Sequence, residues 1–251
     1  MTVIRTTITN ITISMAIPMN KGSHDQEVLG EMQALLPLFA WLSPSYPVGS
    51  YAYSHTLEWA VETGDVTDET SLVAWLGDLM RLGAGRNDAI LLKHAYLAVE
   101  AGDADALRAA NELALALAPS AELYLETSQQ GRSFLDATLT AWPSSRLIPL
   151  EDDVAFPVAV GMAAAAHRVP LLVTLEAYLF AMVQTLVSAA IRLAPIGQTG
   201  GIRVSAAMAS TLREVARQAE SLTLDGIGGA TFRADLGSFH HENQYTRLFR
   251  S

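Results

Sequence analysis

Three stretches hold most of the residues whose types and spacing could do chemistry. His240-His241-Glu242 sets two imidazoles beside a carboxylate, a donor set that suits nickel or zinc. Adjacent positions in one segment seldom close a coordination shell alone, so this pair is expected at an interface or in solvent. Ser45-Tyr46-Pro47-Val48-Gly49-Ser50-Tyr51-Ala52-Tyr53-Ser54-His55-Thr56-Leu57-Glu58 runs from a rigid loop into a helix bearing Tyr51, Tyr53 and His55. Ser54 and His55 are sequence neighbours and do not face each other on a helix, so they form no nucleophile–base dyad. Arg192-Leu193-Ala194-Pro195-Ile196-Gly197-Gln198 puts an arginine at the C-terminal end of an apolar helix, where it complements the dipole.

Other catalytic signatures are missing. Cysteine is absent, which removes thiolate nucleophiles, thiolate metal sites and disulfides. The chain has no G-x-x-x-x-G-K-[ST] loop, no G-x-S-x-G elbow and no Glu-x-x-His pair. His55-x-x-Glu58 has the reverse order. Gly226-Ile227-Gly228-Gly229 looks like part of a phosphate cradle, but neither a strand before it nor a helix after it is expected. No catalytic residue, no metal ligand and no directly bound cofactor is assigned.

What remains is the chain end, Tyr245-Thr246-Arg247-Leu248-Phe249-Arg250-Ser251. It carries aromatic and arginine side chains of the kind that anchor interfaces. The formal net charge of −10 argues against a general grip on nucleic acid. Lys21 and Lys93 are the only lysines among 16 cations, leaving 14 arginines. Arginine suits interface contacts, though a GC-rich genome accounts for the bias more simply.

Elements that could position these residues are helical throughout. Residues 31–43 read as a first helix, followed by a proline-rich loop. Ser50 then caps a helix to Thr63. Further helices are expected over 68–82, from Asn87 or Asp88 to Gly102, over 103–118, 120–142 and 154–167, and from Pro170 to Pro195. The last spans Gly201 to about Leu222, with Val204, Met208, Thr211, Leu212 and Val215 on one face. Val169–Ile191 is apolar enough to cross a bilayer. Its alanine, threonine and glutamine content favours the centre of a bundle instead. The expected fold is an all-α single helical-bundle domain of about nine or ten helices. It covers residues 31–222, between an N-terminal tail (1–30) and a C-terminal tail (223–251) that orders on partner binding. A helical-bundle metal-binding protein and a membrane-embedded helical protein are the alternatives.

Taken together, the stretches resemble the urease accessory protein F family. Tyr46 to Glu58 is similar to its FP-x-G-G-F-A-[YH]-S-x-G-L-E signature. Arg192 to Gln198 resembles R-L-x-P-[LI]-G-Q, and His241 to Ser251 resembles H-E-x-x-Y-x-R-L-F-x-S. Glu126, Ser128, Gln130 and Gly131 fall where the family has Ser-x-Gln-Gly. The likeness runs from about Leu35 to Ser251. Tyr46, Ser50 and Thr56 depart from the usual Phe, Gly and Gly. Replacing a helix-interior glycine by Thr56 should raise helix propensity.

The resemblance implies a non-catalytic, cytoplasmic, dimeric chaperone of metallocentre assembly. Its implied partners are accessory proteins D (H in some organisms) and G, a GTPase, together with apo-urease. The assembled complex would handle nickel and GTP, while this chain would serve as a scaffold and modulate GTP hydrolysis. The implied partner-binding residues are Tyr51, Tyr53, His55, Arg192, Gly197, Gln198, His241, Tyr245, Arg247, Phe249 and Arg250. Arg192 is also a conceivable arginine finger in trans. No nucleic acid or membrane partner is implied.

Overall fold

The computed structural model describes residues 35–251, so the expected tail over 1–30 and the start of the domain at 31–34 lie outside it. Among the described residues all regular structure is helical. Helix α1 covers 35–41. Then follow α2 (Leu57–Glu62), α3 (Glu69–Leu82), α4 (Ala84–Ala101), α5 (Ala104–Ala116), α6 (Ala121–Ala141), α7 (Phe156–Ala166), α8 (Leu171–Leu193), α9 (Gln198–Ser221) and α10 (Phe232–Glu242). Short 3-10 turns occupy Ser50–Ala52 and Leu224–Gly226.

Local chemistry sets most helix starts. Asp68 accepts the Ser71 N–H at 2.8 Å while Ser71 Oγ accepts the Asp68 N–H at 3.0 Å, a reciprocal cap that opens α3. Asp103 and Ser120 cap α5 and α6 through the N–H groups of Ala106 and Leu123. Helix α4 begins at Ala84, one turn before the expected Asn87, and α9 begins at Gln198 rather than Gly201.

The centre of the bundle is α7, not α8 as expected. Every residue from Pro157 to Ala166 is buried, and α7 packs chiefly on α4 and α6. Small side chains make that possible. A Cβ on Gly161 would sit 2.3 Å from the Leu92 carbonyl oxygen of α4. One on Gly131 of α6 would sit 1.8 Å from the Val154 carbonyl oxygen just before α7. Both glycines let backbones approach within a distance no side chain tolerates.

Helix α8 is long and apolar enough to cross a membrane by length and composition. It is nevertheless two-sided. Leu175, Tyr178, Leu179, Val183 and Leu186 are buried, and the helix packs against α9, α4 and α2. Val173 and Phe180 lie on its exposed face.

Two sequence readings are corrected here. The helix expected from Ser50 to Thr63 is broken, because His55 and Thr56 adopt positive φ angles of 50° and 69°. Only Leu57–Glu62 is α-helical. Thr56 therefore does not occupy a helix interior; it is the residue before α2, in a conformation that favours glycine. The second correction is the C-terminal region. Residues 223–251 were expected as a tail, and they fold instead into a turn, α10 and a final extended strap against α2 and α6. The buried side of α10 hid it, since that side is made of the small or polar residues Ala234, Gly237, Ser238 and His241.

Thr56 is 1% exposed and its hydroxyl has no hydrogen-bond partner among the described residues. A left-handed conformation costs an L-residue about 1–2 kcal/mol, and an unpaired buried hydroxyl costs about as much again. Glycine would give back about 0.5–1 kcal/mol through chain entropy. Thr56→Gly should therefore stabilise the chain by about 1 kcal/mol, raising Tm by about 2–4 °C in a thermal melt. An unchanged or lower Tm would show that the Thr56 methyl group's packing outweighs the strain.

Candidate functional site

Bringing α2 and α10 together gathers the three sequence stretches into one cluster. Its hub is Glu58 on α2, which is 7% exposed. Its carboxylate accepts the backbone N–H of Leu248 at 2.7 Å and of Phe249 at 2.9 Å, and faces His241 Nε2 at 3.2 Å. The other nitrogen of His241, Nδ1, lies 2.6 Å from Glu122 in the first turn of α6. Glu122 also receives the Arg247 guanidinium. His241 is fully buried. Its neighbour His240 points away and stacks on Trp59, with ring centroids 5.6 Å apart.

The last residues continue the same clasp. The Arg250 N–H donates to the Ala52 carbonyl at 2.8 Å. The Ser251 carbonyl oxygen accepts the Ser54 N–H at 3.0 Å and the Ser54 hydroxyl. Ser251 Oγ donates to Glu126 at 2.5 Å, and Glu126 also lies 3.3 Å from His55 Nδ1. Gln129 Oε1 accepts from the Tyr53 hydroxyl at 2.6 Å and from Arg250 at 3.3 Å. Arg192 reaches across from the end of α8. Its guanidinium carbon sits 4.2 Å from the centroid of the buried Phe249 ring, and it donates to the Tyr51 carbonyl.

Most of the sequence-named residues therefore meet each other. Tyr53, His55, His241 and Phe249 are turned inward. Arg192 and Arg247 are tied into the clasp at its edge. Tyr51 (75% exposed) and Tyr245 are presented to solvent, as is part of Arg250. Gly197 and Gln198 open α9 and are exposed, and none of the clasp's hydrogen bonds uses them. Sequence reading missed Glu58 and Glu122 as the acceptors that hold the segment. The signal available for Glu58 was a carboxylate placed among the buried apolar positions Leu57 and Ala60.

Behind the clasp lies a cavity of about 760 Å³, with walls that include Trp41, Leu91, Phe156 and Phe180. Its polar side carries His55, Asp88, Glu126 and Asp235. Asp88 accepts the Tyr178 hydroxyl at 2.7 Å. Desolvation pushes the Asp88 carboxyl up to about 6, with Glu126 adding to the rise, while Tyr178 and His55 oppose it. Burial pushes the His55 imidazole down, but Glu126, with smaller help from Asp88 and Asp235, more than offsets it and holds the ring above its ordinary value. Burial, then Asp88, pushes the Tyr178 hydroxyl well up. Among the described residues no group of three His, Asp or Glu side chains is placed to hold a metal ion. The arrangement binds and orients a segment of chain.

Asp88 gives a pH-dependent test. Its folded pKa lies above the unfolded value, so its contribution is present below about pH 4 and lost as pH rises through about 6. At pH 7.5 the ionised carboxyl opposes folding by at most about 2 kcal/mol, allowing for its position on an open cavity. Asp88→Asn keeps an acceptor for Tyr178 and should raise Tm by several degrees at pH 7.5. The gain should fall by about half at pH 5. A gain that does not depend on pH would mean that Asp88 is paired more fully than its surroundings indicate.

Comparison with known proteins gives one consistent outcome. The UreF family model matches residues 66–209. A protein of Xanthobacter autotrophicus named urease accessory protein UreF is 64% identical over 222 residues, covering 87% of this chain and 91% of that protein. One of Azorhizobium caulinodans with the same name is 62% identical over 226 residues, covering 88% and 97%. A third, from Rhodopseudomonas palustris, is 50% identical over 222 residues, covering 87% and 93%.

Proposed function

This chain belongs to the UreF family of urease accessory proteins, and on that premise we propose that it is a non-catalytic scaffold of urease maturation. In this reading it bridges accessory protein D (or H) and the GTPase accessory protein G on apo-urease, as a cytoplasmic homodimer. Nickel and GTP are handled by the assembled complex rather than bound by this chain alone.

One observation carries the reading. Helix α10 is clasped from inside by Glu58 and Glu122, yet its outer side is apolar. Phe232, Leu236 and Phe239 recur at helical spacing and are 71%, 58% and 48% exposed. In the strap that follows, Tyr245 is fully exposed and Leu248 half exposed. An amphipathic helix with i, i+4, i+7 anchors held on a rigid base is a surface ready for a groove on another protein. We assign this face to accessory protein D/H. Tyr51 and Arg250 form a separate polar edge for the GTPase, with Arg250 bonded to the neutral Gln129 amide. Arg192 is engaged by Phe249 and the Tyr51 carbonyl. Any effect on GTP hydrolysis is therefore routed through this edge, not through Arg192 reaching a nucleotide.

The reading predicts a specific loss. Leu236→Glu combined with Phe239→Glu alters only exposed side chains, so the melt should shift by less than about 2 °C. Capture of accessory protein D/H in a pull-down should fall at least about tenfold, since the two anchors contribute more than about 1.4 kcal/mol. Urease activation in cells should fall with it. Undiminished capture by this folded variant would remove α10 as the docking face.

A further inference from the structure

The cavity behind the clasp has no part in the docking of α10, and its lining is unbalanced in charge. Five charged side chains reach it: His55, Asp88, Glu126, Arg192 and Asp235. Arg192 is exposed and is engaged by Phe249 and the Tyr51 carbonyl. That leaves three carboxyl groups, from α4, α6 and α10, against one imidazole. Glu126 lies 3.3 Å from His55 Nδ1 and accepts the Ser251 hydroxyl. Asp235 is hydrogen-bonded by Thr231.

Asp88 is under-bonded. Tyr178 donates to its Oδ2 at 2.7 Å, and among the described residues no donor meets Oδ1. An ionised carboxylate offers about four acceptor positions. Burial pushes this carboxyl up to about 6, so it still carries its charge at pH 7.5. Thr56 lines the same cavity, 1% exposed and with an unpaired hydroxyl. The other walls are largely apolar and partly aromatic, with Trp41, Leu91, Phe156, Phe180 and Met182 among them. A volume of about 760 Å³ suits a drug-sized organic molecule. A hard divalent ion needs about six oxygen ligands, and among the described residues no group of three His, Asp or Glu side chains is placed to supply them.

We propose that this cavity is a binding site for an organic ammonium ion with an apolar body, its cationic head on Asp88 and its body along the apolar walls. The head carries several N–H donors, which meet the open Asp88 oxygen and bring the positive charge that the lining lacks. Charge taken out of water is costly until an opposite charge pairs with it. The aromatic walls add their own attraction for a cation. An anion is repelled by the carboxylates, and a neutral molecule leaves Asp88 without its counter-charge. The site belongs to the single chain and does not depend on which partner covers α10.

The test is a ligand-detected NMR titration of the full-length chain at pH 7.5 with three matched probes: 4-phenylbutylamine, 4-phenylbutanol and 4-phenylbutyrate. The amine should bind at least about tenfold more tightly than the alcohol, which cannot form the charge-assisted bond, and the acid should not bind. Asp88→Asn should bring the amine down to the level of the alcohol. The alcohol should bind this variant as it binds the parent, which reports an intact cavity. Ala177→Phe, which fills the cavity from α8, should weaken amine and alcohol alike. The site is overturned if the parent chain binds no amine, if the alcohol binds as tightly as the amine, if Asp88→Asn keeps the amine's advantage, or if Ala177→Phe leaves both titrations unchanged. Displacement of the amine by equimolar zinc alone would make this a metal site and overturn the proposal as well.

Discussion

A single buried carboxylate organises the C-terminal segment of this molecule. Glu58 lies among the apolar residues of α2, and burying a charge there is costly unless it is fully hydrogen-bonded. The short helix supplies no donors for its head group. Those donors come from Leu248, Phe249 and His241, almost two hundred residues later in the chain. The final strap therefore completes the environment of a residue near the start of the domain. The register of that strap fixes which side of α10 faces solvent. It also seats Phe249 beneath Arg192, and so couples the end of α8 to the same point.

The bundle behind it closes around one central helix. Helix α7 is buried on all sides, and its alanines and Gly161 let α4 and α6 close around it. This explains why the most hydrophobic stretch of sequence was a poor guide to the centre. Hydropathy ranks α8 high because of its leucines and length, but leucine's bulk suits an outer layer with one exposed side. Small residues allow close packing on every side, and periodicity cannot separate the two cases. The polar wall of Asp88, Tyr178, His55 and Glu126 then lies between this core and the clasp.

The all-α class, the capped starts of α3, α5 and α6 and the buried face of α9 were legible because they are local properties. Each needs only a capping side chain or a spacing of apolar residues within one segment. The candidate residues were legible as a set for a different reason: they stood in stretches richer in aromatic, histidine and arginine side chains than a bundle requires. Their arrangement was not legible. Thr56 looked like a helix former because propensity says nothing of a chain forced into left-handed φ by tertiary contacts. The segment over 223–251 looked unstructured because its order comes from Glu58, Glu122 and Glu126, all distant in sequence. A docking end free in solvent and one clasped to its own domain have the same residues, and only long-range pairing distinguishes them.

The two sides of the C-terminal segment divide the work between them. Ordering its backbone costs about 1–2 kcal/mol per residue. Of its large apolar side chains only Phe249 is buried, which contributes about 2–3 kcal/mol. Phe232, Leu236, Phe239 and Leu248 contribute little because they face water. Closure thus leans on polar bonds whose net worth is about 1 kcal/mol each, somewhat more where charges pair. A segment held in this way belongs to the least stable part of a protein. The inner polar bonds define its position but add little spare stability, and the outer apolar side chains hold the larger unused burial energy. Any protein that covers that outer side supplies what the clasp lacks. Binding and ordering of this end are then coupled by the same residues that the chain leaves exposed.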